Sequence, residues 1–262
     1  MNKLKHFVIT RFMSEDFQPK EIIFDDSFLQ NSFNVMKNHL LNSLSIQDNK
    51  NFEFVILIHN EIDKEKVSFL YGLKNDYDFE ITVIRKNELD KYISTFKDKY
   101  EFIITSRVDY DDHVYKTVVD DIQKRIDENY EVVLYGLKNG VTIIDGETEA
   151  RFMTKNYGNR GFFSVFETVI LNTKKVENVF NIYSLGNHTK IYETLKNNYR
   201  KYGISNEESI KYQFDDTDET RYIWIRHKNS QSFIAKNTLH LTNIVINNLK
   251  LSDFGYNPNL TK

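Results

Sequence analysis

Three aspartates, Asp109, Asp111 and Asp112, stand within four positions in the stretch EFIITSRVDYDDHVYKTVVDDI, Glu101 to Ile122. An apolar run leads into them and an amphipathic run follows. Carboxylates this close repel one another, and near the end of a sheet strand they lose solvation. Either a turn leaves them in water or a cation holds them together. Two hard oxygen donors one residue apart, Asp109 and Asp111, can share Mg²⁺ or Mn²⁺ and leave coordination positions for substrate oxygens. A diphosphate leaving group needs that neutralisation as its bond to a sugar breaks. Arg107 lies on the same strand face as Asp109 and could pair with a phosphate oxygen or with Asp109 itself. Asp112 reads as the N-cap of a helix beginning near His113.

Other residues offer parts of such a site. A general base for an inverting transfer is usually Asp or Glu, and Asp145, Glu147, Glu149 and Glu167 are available. Glu167 lies in the apolar stretch FFSVFETVI, where burial would raise its pKa, and it ranks first. His188, in SLGNHTKIYE, could face an acceptor, although Asn187 or Thr189 there reads more simply as a helix cap. A second Asp-x-Asp, Asp216 to Asp218, precedes a strand rather than following one and reads as a solvated acidic loop.

The elements that must position these residues alternate along the first half. Strands are expected at Lys5 to Arg11, in FEFVILIHN, in FEITVIR, in EFIITSRVD and in EVVLYGL. Helices are expected over Phe28 to Leu44, in DKEKVSFLYGLKN, in ELDKYISTFKDK and after His113. Short apolar strands separated by helices signal a mostly parallel sheet covered on both faces, with ligands beyond the C-terminal strand ends. The second half is less regular. VTIIDGETEARFMTK reads as a hairpin turning near Asp145-Gly146, and GFFSVFETVILN is ambiguous between strand and helix. KKVENVFNIYS and HTKIYETLKNNY read as helical, and RYIWIRHK as a late strand. The C-terminal segment carries no clear pattern.

Bulk properties narrow the function. The 262 residues carry a net charge of −3 and no cysteine. That charge argues against nucleic-acid binding, and the missing thiols exclude disulfides, thiolate catalysis and Cys-ligated zinc. No stretch approaches the roughly 20 apolar residues of a membrane span, and no signal peptide is legible. A cytoplasmic protein is expected. Neither a dinucleotide Gly-x-Gly-x-x-Gly fingerprint nor a Walker loop is present. The 20 Phe and 16 Tyr suit packing first and sugar faces second.

Several landmarks, in order, resemble the bacterial rhamnosyltransferase family of the GT-A fold. They are VITRF (Val8 to Phe12), LLNSLSIQDNKNFEFVILIHN (Leu40 to Asn60), TSRVDYDD (Thr105 to Asp112) and YIWIRHKNSQS (Tyr222 to Ser232). The resemblance implies a single GT-A-like α/β domain over 1–262, with a nucleotide-sugar half at 1–112 and an acceptor half at 113–262. It implies transfer from a nucleotide-diphosphate sugar donor to a hydroxyl of a glycan or lipid-linked glycan, with Mn²⁺ or Mg²⁺. On this resemblance Asp109 and Asp111 approach the metal and donor phosphates, supported by Arg107. Thr10 and Arg11 lie on the nucleotide side, and His227 is a distant third metal ligand. His59-Asn60 departs from the acidic residue that related enzymes often carry there. Two other readings stand beside it: a Mg²⁺-dependent phosphohydrolase and a carbohydrate-binding protein without catalysis.

Overall fold

Apolar residues at alternate positions of five central strands point to opposite faces of one sheet, and helices cover both faces. A computed structural model describes residues 2–13, 20–144, 150–153, 166–186, 190–215, 217, 219–226, 241–245 and 249–259. The chain runs β1 (Asn2–Arg11), α1 (Lys20–Ile23), α2 (Asp26–Met36), a π-helical stretch Lys37–Leu41, α3 (Asn42–Ser45), β2 (Glu53–Ile58), α4 (Ser68–Gly72), β3 (Glu80–Arg85), α5 (Leu89–Ser94) and β4 (Tyr100–Arg107). It continues through β5 (His113–Val114), α6 (Val118–Gln123), β6 (Val132–Gly136), β7 (Gly140–Ile144), β8 (Ala150–Met153) and β9 (Glu167–Asn172). A 3-10 turn at Ile182–Leu185, α7 (Ile191–Asn198), β10 (Ile210–Phe214), β11 (Tyr222–Arg226) and β12 (Leu241–Val245) complete it.

The larger sheet has the order β10-β6-β9-β4-β1-β2-β3. All its pairings are parallel except those of β9, which runs antiparallel between β4 and β6. Strand order therefore reverses between β1 and β4, the place where open α/β sheets bind ligands. One face buries Val8, Phe54, Ile56 and Ile104 against Met36, Leu40, Leu44 and Val118. The other buries Phe7, Ile9, Val55, Leu57 and Ile103 against Leu89 and Ile93 of α5. Farther along that face, Val132, Leu134, Val169 and Leu171 pack on Ile182, Ile191 and Leu195. Cover on both faces matches the near-continuous apolar runs of the strands.

Several expectations need correction. His113–Val114 do not open a helix: they form β5, antiparallel to Tyr222–Ile223 of β11. Ser43 Oγ receives the Val114 amide at 2.8 Å, so both backbone sides of this short strand are used. The helix begins only at Val118. KKVENVFNIYS is not a helix either; its only helical turn is Ile182–Leu185. Residues 64–67 are turns before α4. The second half is also more ordered than its pattern: β12-β8-β7-β11-β5 form a second sheet. The expected hairpin is present as the antiparallel β7–β8 pair. GFFSVFETVILN resolves as a strand from Glu167.

Candidate active site

Parallel register places the last residues of β1 and β4 side by side, since Ile9 pairs with Arg107. Across β4, Arg107 pairs with Glu167, the first residue of antiparallel β9. Reversing β9 is what brings a residue from the second half to this edge. Arg107 Nε lies 3.7 Å from Glu167 Oε2, and both side chains are almost completely buried. Neither carboxylate oxygen of Glu167 has a hydrogen bond. Burial pushes the Glu167 carboxyl well above its usual range; Arg107 opposes this and nearby Asp109 adds to it.

Tyr183 completes the wall. The Arg107 guanidinium stands 5.0 Å from its ring centroid and that of Arg11 stands 5.2 Å away. Its hydroxyl donates to the Ile9 carbonyl at 3.2 Å. Ile182, its neighbour, is anchored by its backbone N–H, which donates to Thr105 Oγ1 at 3.0 Å. Burial raises the Tyr183 phenol to about 12, against the pull of Arg107 and Arg11. The phenol therefore stays neutral and offers its face to two cations. No sequence pattern singled out Tyr183, because it reaches the site from a 3-10 turn far along the chain.

On one side of this wall lies a cavity of about 410 Å³, lined by Arg11, Leu57, Lys86, Asp90, Tyr183 and Gly186 among others. It sits beyond the C-terminal ends of β1, β2 and β3. Gly186 has φ +82°, a conformation that side chains rarely adopt. The acidic turn follows Arg107 directly, and the charge of Asp109 acts on Tyr183. Val108 donates to the Ile9 carbonyl at 3.0 Å, and Asp112 N to the Asp109 carbonyl at 3.2 Å. Tyr110 packs edge-on against Phe12, while Asp109 and Asp111 remain partly exposed.

Asp112 is not a helix cap. It is fully buried, and its Oδ1 accepts the Ile225 amide of β11 at 3.2 Å. The cause is β5, which occupies the positions where the helix was expected to start. Asp112 Oδ2 has no partner. Burial, then the charges of Asp111 and Asp109, hold the Asp112 carboxyl well above its usual range. The turn thus concentrates hard oxygen donors and contains a buried acceptor without a donor. A Mg²⁺ or Mn²⁺ ion bound through Asp109 and Asp111, with phosphate oxygens completing the shell, fits that chemistry. Among the described residues, no three acidic or histidine groups form a ready-made cage.

The remaining expected residues divide. Arg11 lines the cavity. Thr10 is fully buried and its hydroxyl is unpartnered; adjacent strand residues face opposite ways, so it points to the sheet face away from Arg11. His227, His188, Asn187, Thr189, Asp145, Glu147, Glu149, Asp216 and Asp218 lie outside the described residues. Histidines that sequence reasoning passed over meet directly behind the turn: His39 Nδ1 and His113 Nε2 are 3.0 Å apart. His113 Nδ1 donates to the Phe254 carbonyl at 2.8 Å. Neutral His113 then accepts at Nε2, which makes His39 Nδ1 the donor.

Comparison with known proteins gives a family and a set of similar folds. No curated protein matches the chain. Among solved structures, S. aureus TarS 1-349 is 18% identical with a TM-score of 0.42, covering 84% of this chain and 60% of that one. The glycosyltransferase GlyE of Streptococcus pneumoniae TIGR4 is 9% identical, TM-score 0.35, covering 81% of this chain and 45% of its own. The 4-diphosphocytidyl-2C-methyl-D-erythritol synthase of Anaerococcus prevotii DSM 20548 is 12% identical, TM-score 0.41, covering 88% and 92%. The chain thus spans less than two thirds of the TarS fragment. A family model described as "Putative rhamnosyl transferase" matches residues 12–200, well over half of the sequence, and the chain belongs to that family.

Proposed function

We propose that this chain is a metal-dependent glycosyltransferase that moves a sugar, rhamnose in the family's description, from a nucleotide-diphosphate donor to a hydroxyl of a glycan or lipid-linked glycan. The supporting observation is the Arg11–Tyr183–Arg107 cluster, whose Arg11 and Tyr183 line a cavity and whose Tyr183 lies within electrostatic reach of Asp109. A nucleoside diphosphate laid across it keeps its nucleoside in the cavity and its charge at the turn. In this reading the donor rests on the 1–112 half, with Tyr183 and Gly186 reaching it from the second half.

Asp109 and Asp111 would hold the divalent ion, whose chemistry is to neutralise the departing diphosphate. Arg107 and Arg11 add fixed positive charge at the same edge, and burial makes that charge count for more than it would in water. Glu167 lies beneath Arg107 and is 1% exposed. A general base must come within hydrogen-bond reach of the acceptor proton; the burial instead favours a positioning role, with Glu167 setting the Arg107 guanidinium. His227 stays a proposed third ligand on the resemblance alone.

Calorimetric binding of UDP, dTDP and GDP, each with and without Mn²⁺, tests the reading on the wild type and Asp111→Ala. One nucleotide should bind in a metal-dependent way and lose that dependence in the variant. Absence of binding by all three with metal present would overturn it.

A further inference from the structure

The two ends of the acidic turn are held differently. Its start continues β4 and is pinned to β1, where Val108 donates to the Ile9 carbonyl. Its far end runs straight into β5, a strand of two residues at the edge of the second sheet. Asp112 ties that end to β11 through the Ile225 amide. A strand this short does not hold its own place, and two distant parts of the chain hold it instead.

The first is the helical run through the π-helical stretch Lys37–Leu41, a geometry that often marks functional places. His39 Nδ1 donates to His113 Nε2 at 3.0 Å. One turn on, Ser43 Oγ accepts the Val114 amide at 2.8 Å and donates to the Val114 carbonyl at 2.9 Å. The second is the segment Leu251–Tyr256. Its Phe254 carbonyl accepts from His113 Nδ1 at 2.8 Å. Asp253 takes Lys116 twice, the backbone N–H on its carbonyl at 3.0 Å and Nζ on its carboxylate at 3.2 Å. The Tyr256 ring stands edge-on to His113 at 5.4 Å and stacks on His39 at 6.2 Å between centroids. Gly255 fits the two parts together: its φ is +69°, and a Cβ there would lie 2.7 Å from the Asn42 carbonyl oxygen. His39, His113 and Tyr256 are at most 3% exposed, so water cannot stand in for a lost contact.

Metal ligation tolerates about 0.2 Å of misplacement, and a ligand on a turn is only as well placed as the turn's two ends. We propose that His39 and the segment Leu251–Tyr256 are positioning elements of the metal turn. Through His113 they fix β5, and through β5 they set where Asp111 stands for Mn²⁺ or Mg²⁺. This rests on the metal-dependent reading above and adds to it residues that touch neither the ion nor a substrate. Removing groups that orient metal ligands through other residues lowers metal affinity about 10- to 100-fold.

The test titrates Mn²⁺ calorimetrically into the full chain, alone and with UDP, dTDP or GDP present, against protein-free blanks. Thermal melting is followed in parallel. His39→Ala and Gly255→Ala should each weaken Mn²⁺ binding at least about ten-fold. His39→Asn keeps a donor close to the place of Nδ1 and should restore most of the affinity. Leu195→Ala truncates a fully buried side chain in the core under α7. It should lower the melting temperature and leave Mn²⁺ affinity intact, which separates positioning from stability. If His39→Ala does not fold, Gly255→Ala reads the same coupling. Wild-type Mn²⁺ affinity in the folded variants, or an equal loss in Leu195→Ala, overturns this inference and leaves the transferase reading standing. Failure of the wild type to take Mn²⁺ under any of these conditions overturns both.

Discussion

Arg107 and Glu167 meet as a register pair, the last residue of β4 opposite the first of β9, with 3.7 Å between Nε and Oε2. Neither is exposed enough to exchange freely with solvent. Glu167 to Gln keeps the volume and leaves an oxygen for the guanidinium, whereas Glu167 to Ala removes both. With Glu167 as a positioning residue, Glu167→Gln should lower transfer less than about ten-fold and Glu167→Ala clearly more. Loss of a general base would cost about 10² to 10⁴ in either variant. The pH profile separates the roles: a positioning residue leaves its acidic limb in place in Glu167→Gln, and a base does not.

The strand-helix alternation and the edge where the site would sit were readable because parallel strands buried on both faces are apolar throughout and their helices keep a regular period. The place of Asp109 was readable for the same reason, as a polar residue ending such a run, whereas Arg11 came from the family resemblance alone. Non-local pairings were not. His113 and Val114 fit a helical spacing with Val118 and Ile122, and only β11, over a hundred residues later, makes them a strand. Tyr183 carries no local signal, since its orientation comes from Thr105. Asp112 looked like a cap because caps and buried acceptors use the same residue types.

His6 gives the fold a built-in sensitivity to acid. It is 1% exposed on β1, and its Nε2 lies 2.9 Å from Ser106 Oγ, which in turn lies 2.6 Å from Thr168 Oγ1. Burial lowers its pKa to about 3. The folded chain keeps it neutral while the unfolded chain protonates near 6.5, so the unfolded state binds more protons between those values. Stability is therefore complete above pH 6.5 and lost as pH falls toward 3, by on the order of 5 kcal/mol at most. His6→Gln cannot titrate and can still bond Ser106. Melting temperatures at pH 7.5, 6 and 4.5 should fall less steeply in the variant; parallel slopes would contradict this. Some slope will remain from His113, which burial also keeps neutral.

Gly140 opens β7 opposite Tyr222 of β11. A Cβ there would lie 2.0 to 2.5 Å from the Tyr222 ring, and that ring is 3% exposed. The ring cannot swing into solvent, so Gly140→Ala must move a strand or a core aromatic. Overpacking of this kind costs about 1–3 kcal/mol. In a Tyr222→Val background the penalty should largely vanish, and a double-mutant cycle by urea denaturation reads that coupling directly. Equal penalties in both backgrounds would mean the glycine is needed for its backbone alone.

Arg221 ties the second sheet to the first. Its Nε lies 2.9 Å from Asp215 Oδ2 just past β10, its Nη2 pairs with Asp121 of α6, and its guanidinium stands 5.3 Å from the Tyr115 ring centroid. The two carboxylates differ in exposure, 2% for Asp215 and 29% for Asp121. Arg221→Met leaves Asp215 charged and desolvated with its cation gone, a loss of about 3–5 kcal/mol. Asp121→Asn removes the partner that water can replace, and costs about 1 kcal/mol or less. The order should invert if Arg221 is replaced together with Asp215: Arg221→Met/Asp215→Leu removes charge and countercharge at once and should be more stable than Arg221→Met alone. Urea midpoints of the four proteins decide it, and a double variant weaker than the single one would show that this cluster is held by packing against Tyr115 rather than by its charges.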